Sequence, residues 1–257
     1  MNSNTNYWQS IMAVLAAVLA LTVAPTTSSA QIITPDNAQA VTGMTYGEWS
    51  AVWWQYVLSK PVSDPNNPLL DPTGAGCKVD QPNSSPVFFL VGTAGTGAVT
   101  RDECTVPAGK VLFFPLANAF DVHVPGDGLD TPELVRKDLL ALFGPITELH
   151  ASIDGVPVGV DLFSFGACAG GDPACTSAFS LTLPGNNLFV GSPAGVGRRG
   201  APPLRAGIYA PAVADGFYQM LAPLLPGAHT INFGGQGSFA GSPFSQEITY
   251  NLVVKKR

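Results

Sequence analysis

The residues of this chain that could do chemistry together lie within residues 118–130, which read NAFDVHVPGDGLD. Asp121 and His123 are two residues apart, so on an extended strand their side chains project from the same face. A carboxylate and an imidazole placed in that way can share a divalent metal ion, or can act as a base with its orienting partner. Asp127 and Asp130 follow closely enough to add oxygen ligands. The segment therefore offers Asp121, His123 and Asp127 as candidate metal ligands, with Ca²⁺ favoured over Zn²⁺, although the spacing is not that of an EF-hand loop.

The same segment also has a structural interpretation, which we favour. Aspartate side chains commonly accept hydrogen bonds from backbone N–H groups in turns and at the start of helices. On that interpretation the chain needs no cofactor, His229 is a half-buried core histidine, and His150 lies on the polar, exposed face of its strand. Convergence of His123 with these two histidines would instead support a metal site.

Other catalytic signatures are missing from the sequence. A serine nucleophile elbow has the pattern G-x-S-x-G, whereas residues 237–241 read GSFAG, with the serine one position too early. A catalytic cysteine needs a free thiolate, which paired cysteines do not supply. Residues 92–97, GTAGTG, precede no predicted helix and so do not resemble a phosphate-binding loop. Enzyme activity stays open, and the sequence favours a non-catalytic protein.

An aromatic stripe is the second candidate site. Tyr46, Trp49 and Trp53 are spaced three and four residues apart, so they share one face of a helix, and Trp54 lies beside that face. Exposed Trp and Tyr rings can stack on sugar rings, which makes these four residues candidate ligand-binding residues. The alternative, which we favour, is that the rings anchor the helix to a sheet.

Two helices are expected to position these residues. Thr45 and Glu48 have the spacing of a capping box, which predicts a helix that starts there and ends near Leu58. Thr131 precedes a proline and an acidic residue, which predicts the start of a second helix. That helix is expected to end at the Gly-Pro pair of residues 144–145.

Most of the remaining chain reads as strands. Apolar and polar residues alternate between turns rich in Gly, Pro, Asn and Asp, as in residues 248–254. Asp154 and Gly155 form a strong two-residue hairpin signal. About nine strands predict a mainly β fold, a β-sandwich with immunoglobulin-like features and two packed helices. Residues 31–257 are expected to form a single domain, with a possible weak division near residue 146.

The first thirty residues predict export. Residues 11–24 form an unbroken apolar run, and small residues follow as far as Ala30, which is typical of a cleaved secretory signal. The run is shorter than the roughly 20 residues that span a bilayer. Because the leader lacks the usual Lys or Arg, a retained anchor is the alternative. We expect a mature chain that is secreted or periplasmic and has no membrane span after cleavage.

The cysteines fit an oxidising compartment. Cys77, Cys104, Cys168 and Cys175 allow three pairings, and proximity in the sequence favours Cys77–Cys104 and Cys168–Cys175. A zinc site would use short C-x₂₋₄-C pairs, which this sequence lacks.

The charge balance excludes one class of partner. The chain has 12 Lys and Arg against 18 Asp and Glu, a net charge of −6. Nucleic-acid binding depends on clustered cations that neutralise phosphates, so a nucleic-acid partner is not expected. Charged residues make up only 12% of the chain, and many turns rich in Gly and Pro must cover its surface, which is typical of extracellular β proteins.

Two short resemblances accompany these patterns. Residues 152–158 (SIDGVPV) and 225–231 (LPGAHTI), with the closing strand 248–254, resemble the hairpin and late-strand corner of bacterial immunoglobulin-like modules. That resemblance implies a sandwich over about residues 146–254. Residues 46–55 (YGEWSAVWWQ) and 106–110 (VPAGK) resemble a group of exported bacterial proteins of unknown activity, which implies no chemistry.

Together these features predict an exported, non-catalytic protein that binds a glycan, a polymer or a protein partner at the envelope or outside the cell. The alternative is an extracellular, metal-assisted hydrolase centred on Asp121 and His123.

Overall fold

A computed structural model describes residues 31–82, 84–166, 178–190 and 204–256 of the chain. The predicted signal segment 1–30 and the predicted pair Cys168–Cys175 lie outside these residues. Within the described ranges, no helix has the length and the apolar character needed to cross a membrane.

The described residues contain three α-helices: α1 (Pro35–Thr42), α2 (Tyr46–Leu58) and α3 (Pro132–Leu142). The predicted capping box is present at α2, where Thr45 Oγ1 accepts a hydrogen bond from the Glu48 backbone N–H and a Glu48 carboxylate oxygen accepts one from the Thr45 N–H. Thr131 caps α3 through its side chain. The sequence did not predict α1, because only two of its eight residues are buried and its apolar periodicity is weak.

Ten strands and one 3₁₀ helix (Leu162–Phe165) complete the described structure. The strands are β1 (Val87–Phe89), β2 (Gly97–Arg101), β3 (Thr105–Pro107), β4 (Val111–Val122), β5 (Phe143–Ile153), β6 (Val156–Pro157), β7 (Phe179–Leu183), β8 (Gly207–Leu221), β9 (Gly227–Phe239) and β10 (Ser242–Lys255). The mainly β sandwich with packed helices is thus confirmed, with three helices instead of two.

The strands form two sheets. In the four-stranded sheet the order is β1-β4-β8-β7, with β1 parallel to β4 and the other pairs antiparallel. In the six-stranded sheet the order is β2-β10-β9-β5-β6, and β3 also pairs with β10. Strands from before and after residue 146 share both sheets, and β5 runs across that position.

Side chains fill the space on both faces of the four-stranded sheet. Between the two sheets, the rings of Phe114 and Phe233 lie 4.5 Å apart, centroid to centroid. On the opposite face, Phe113 stacks on Tyr218 at 5.0 Å and meets the edge of Tyr46 from α2. Helix α3 covers the far end of β4 and β8. The molecule therefore has a helical layer, a central sheet and an outer sheet.

A glycine in β9 lets the outer sheet approach β4 closely. A Cβ atom on Gly235 would lie 3.0 Å from the Leu116 carbonyl oxygen of β4. Beyond this approach, the β9–β10 hairpin continues to a tip at residues 239–242. The tip stands over the far end of β4, where it helps to form the cavity described below.

One disulfide is described, Cys77–Cys104, as the sequence predicted. It ties the proline-rich connection between α2 and β1 to the segment that joins β2 and β3. The Asp71 carboxylate organises the same connection by accepting hydrogen bonds from the backbone N–H groups of Thr73, Gly74 and Gly76. The Cys77–Cys104 disulfide is compatible with an oxidising compartment.

Candidate functional site

His123 and Asp127 of the predicted metal cluster do meet, within a turn that follows β4. His123 Nδ1 lies 3.0 Å from an Asp127 carboxylate oxygen. That carboxylate also accepts hydrogen bonds from the backbone N–H groups of Val124 at 2.7 Å and Leu129 at 2.8 Å. Asp130 approaches the imidazole only to 3.9 Å. Asp127 thus organises the turn, which is the structural role that aspartate has in such connections.

Asp121 lies inside β4 and is 1% exposed. One of its carboxylate oxygens accepts a hydrogen bond from the Val122 backbone N–H at 2.8 Å. Within the ranges that the structure covers, no three His, Cys, Asp or Glu side chains form a group that could hold a metal ion. The candidate ligands Asp121, His123 and Asp127 therefore do not surround a common position for an ion.

The other two histidines have separate carboxylate partners. His150 Nε2 lies 3.0 Å from Glu247, and His229 Nδ1 lies 2.8 Å from Asp154. They do not join His123 in a shared site.

Two of the four candidate aromatic residues anchor α2 in the core. Tyr46 and Trp49 are 2% and 3% exposed. The Tyr46 hydroxyl donates to the Ile33 carbonyl at 2.6 Å, and Trp49 Nε1 donates to the Thr42 hydroxyl at 2.8 Å. Each such ring buries roughly 150–250 Å², worth about 4–6 kcal/mol before entropy is counted. These two residues hold the helix on the sheet.

The other two, Trp53 and Trp54, line a cavity of about 510 Å³. Their rings meet edge to face at 4.9 Å, and the Trp54 ring lies 4.6 Å from that of Phe120 on β4. Trp53 Nε1 donates to the Leu90 carbonyl at 3.1 Å, which fixes the indole. The volume falls within the range of about 300–1,000 Å³ that is usual for small-ligand sites.

The wall of this cavity is aromatic and uncharged. None of the described residues that line it is Asp, Glu, Lys, Arg or His. Its aromatic residues are Trp53, Trp54, Phe120, Phe143, Phe189, Phe239 and Phe244, and its polar residues are Thr93, Thr96, Asn118, Ser242 and Gln246.

Four consecutive residues of β4, Ala117 to Phe120, belong to the wall. Successive side chains of a strand point to opposite faces, so a run of this kind means that the edge of the strand faces the cavity. β1 pairs with β4 only at Val111–Phe113, which leaves the later edge without a neighbouring strand in the described structure. Ala119 and Phe120 keep 8% and 5% exposure, whereas Phe113 and Phe114 have none.

The chain after β1 is held away from β4 by the buried side chains of Arg101 and Tyr250 and by the partly buried Gln246. Arg101, 1% exposed, donates to the carbonyl groups of Val91 and Gly92. The Tyr250 hydroxyl accepts a hydrogen bond from the Val91 N–H at 3.1 Å. Gln246 Nε2 donates to the carbonyl groups of Thr93 and Gly95. Because these bonds engage the backbone of residues 91–95, the segment cannot pair with β4, and the gap between them is the cavity.

Asn118 is the polar residue at the β4 wall. Its Nδ2 lies 3.1 Å from the Tyr218 hydroxyl oxygen, which is buried beneath the cavity. Burial raises the pKa of Tyr218, and the hydrogen bond from Asn118 lowers it by less, so the hydroxyl stays protonated. The Asn118 side chain is therefore held by a protonated hydroxyl group.

Trp53 and Trp54 were candidate site residues from the sequence. Arg101, Gln246 and Phe244, which shape the cavity, were not. Arg101 occurs in a short polar stretch with no pattern that indicates burial. Gln246 and Phe244 read as part of a turn before the last strand. The glycines of residues 92–97 are the only local signal near the cavity, since they favour a turn before β2 begins at Gly97.

No protein family, no curated protein and no solved structure matches this chain in the three comparisons made.

Proposed function

We propose that this chain is an exported, non-catalytic protein that binds an uncharged, largely apolar ligand in the cavity between α2 and the β9–β10 hairpin. The observation that carries the proposal is the wall itself, about 510 Å³ of space that opens to solvent and is lined by seven aromatic residues, with no charged side chain among its described residues. Burying a charged group there would cost far more than its contacts return, because none of the described wall residues carries an opposite charge to pair with it.

A glycan fits this wall less well than an apolar ligand. A sugar presents several hydroxyl groups, and each one buried without a partner costs about 1–3 kcal/mol. Thr96 already bonds Ser245, and Gln246 bonds residues 93 and 95. Few polar side chains of the described wall are left to receive the hydroxyl groups of a sugar, so the aromatic rings favour a largely apolar molecule.

Export is part of the proposal and has two supports. The first is the signal pattern at residues 1–30 of the sequence. The second is the Cys77–Cys104 disulfide, a bond that persists in oxidising compartments.

A matched pair of dyes tests the ligand class. N-phenyl-1-naphthylamine is neutral, and 1-anilinonaphthalene-8-sulfonate has the same ring skeleton with an added sulfonate. We expect the neutral dye to bind with increased fluorescence and the anionic dye to bind at least about tenfold more weakly, a difference of about 1.4 kcal/mol.

Two substitutions locate the binding. Ala94 lines the cavity on an exposed loop, so Ala94→Trp fills the space with little effect on folding. Ala98 is also exposed but does not line the cavity, so Ala98→Trp is its control. We expect Ala94→Trp alone to weaken binding of the neutral dye. Equal affinities in both variants, or stronger binding of the anionic dye, would refute the proposal.

A further inference from the structure

The backbone of β4 presents hydrogen-bonding groups to the cavity. In an antiparallel pair, alternate residues bond the partner strand and the residues between them point to the other side. The His123 N–H bonds the Pro211 carbonyl at 2.9 Å, so Asp121 and Ala119 also face β8, and Asn118 and Phe120 face the cavity.

Two side-chain contacts agree with this assignment. The Val122 N–H bonds the Asp121 carboxylate instead of β8. The N–H of Gly216, which lies opposite Asn118, bonds Asp215 at 2.7 Å instead of β4. In the described structure, no residue outside β8 bonds the backbone N–H or C=O of Asn118 or Phe120.

The backbone groups of Asn118 and Phe120 that point away from β8 recur with the repeat of a strand. Asn118 and Phe120 are two residues apart, so their N–H and C=O groups recur at about 6.6–6.8 Å, which is the repeat that an adjacent strand requires. Apolar residues lie on both sides of this edge, with Trp53 and Trp54 on one side and Phe239 and Phe244 on the other. An occupant with apolar groups on both faces and amides along its length meets all of these features.

We infer that the ligand of this cavity is an extended, uncharged peptide segment that adds to the open edge of β4 at Asn118 and Phe120 as a further strand. The inference rests on the proposed function and names the chemistry of its ligand. The segment takes the place that β1 would occupy if it continued beyond Phe89. Main-chain hydrogen bonds to Asn118 and Phe120 supply the orientation, and the aromatic wall selects small apolar side chains.

Displacement of N-phenyl-1-naphthylamine by three blocked hexapeptides tests the inference. The parent is acetyl-Thr-Val-Ala-Val-Ala-Thr-amide. One twin is N-methylated at both valines and the other at both alanines, so each loses the N–H donors of one strand edge while their apolar content stays matched. We expect the parent and one twin to displace the dye, and the other twin to bind about tenfold more weakly or worse, as expected for two lost hydrogen bonds.

Amide hydrogen exchange followed by NMR gives a second readout. We expect the parent peptide to slow exchange at Asn118 and Phe120, and the dye alone to leave these two amides unprotected. Equal binding of both twins, or peptides that fail to displace a bound dye, would overturn the inference and leave the proposed function intact. Failure of the dye itself to bind would remove the proposed function.

Discussion

Arg101 and Tyr250 meet inside the sandwich, where Nη1 of Arg101 donates to the Tyr250 hydroxyl at 2.9 Å and the guanidinium lies 5.2 Å from the centre of the ring. The arginine comes from β2 and the tyrosine from β10. Both also bond the backbone of Val91, so one buried cation links two strands of the outer sheet to the segment that bounds the cavity.

Replacement of Arg101 by lysine tests this link. The guanidinium donates to the carbonyl groups of residues 68, 71, 91 and 92, and a lysine ammonium cannot span four such acceptors. We expect Arg101→Lys to lower the free energy of unfolding by about 3 kcal/mol or more, measured by urea denaturation. The control is Arg205→Lys at an exposed position, which should change the free energy of unfolding by less than about 0.5 kcal/mol. Equal effects of the two substitutions would contradict the role given to Arg101.

Gly216 is expected to tolerate no side chain. It has φ of +142° and lies opposite Asn118, where a Cβ atom would come within 2.4 Å of the Ala117 carbonyl oxygen. We expect Gly216→Ala to lower the free energy of unfolding by at least about 2 kcal/mol, as overpacking in a core does. Gly241→Ala is the matched control, since Gly241 has φ of +74° and open space around it, so its cost should be about 1 kcal/mol. Thermal melts of both variants measure the difference, and a Gly216→Ala protein as stable as the control would refute the contact.

Asp71 makes stability depend on pH. Burial raises the pKa of Asp71, but hydrogen bonds from three backbone N–H groups and the charge of Arg101 outweigh it, so the pKa lies below the ordinary value of 3.8. A carboxyl with a lowered pKa in the folded state stabilises the protein above its unfolded pKa and loses that contribution as the pH falls. We expect the wild type to exceed Asp71→Asn in urea midpoint at pH 6, and the gap to shrink below pH 3.8 toward the folded pKa. A gap that stays constant or widens on acidification would contradict this assignment.

The disulfide should stabilise the chain through its unfolded state. Cys77 and Cys104 are separated by 27 residues, and closing a loop of that length is worth about 3.5 kcal/mol in the chain-entropy description. We expect the double variant Cys77→Ser/Cys104→Ser to lose about that much unfolding free energy in urea. Reduction of the wild type should give a similar loss, and an unchanged midpoint in both samples would show that the bond contributes little.

Local signals explain which elements the sequence predicted. Helix α2 starts where Thr45 and Glu48 cap each other, and that contact needs only neighbouring residues. The β5–β6 hairpin was predicted from Asp154 and Gly155, whose φ values of +52° and +77° suit the turn. Such features depend on a few adjacent side chains, so they can be read from the sequence.

Element ends that depend on distant partners were not predicted. The sequence placed the end of α3 at the Gly-Pro pair, but β5 begins at Phe143 and includes Pro145. Pro145 is tolerated because it lies in a register shift of the β5–β9 pairing, between Phe143 and Ile146, where it has no paired residue on β9. β4 ends at Val122, and the two-residue alternation that placed Asp121 and His123 on one face therefore stops before His123.

The site was predicted only in part for the same reason. Trp53 and Trp54 stood out by residue type, whereas the cavity needs Phe120, Phe239 and Phe244, which are far away in the sequence. Their convergence depends on the bulges of β4 and β5 and on the glycines of β9. No local pattern in a single sequence encodes that register.

The unpaired edge of β4 at Asn118 and Phe120 lies between α2 and the β9–β10 hairpin, and this position bears on association between molecules. The unpaired N–H and C=O groups of an edge strand can pair with a strand of another molecule, which leads to aggregation. Here α2 and the β9–β10 hairpin flank that edge on both sides, which hinders the approach of a sheet from another molecule. If the edge binds a peptide as inferred, its flanks would let the molecule keep an unpaired strand edge while limiting edge-to-edge association.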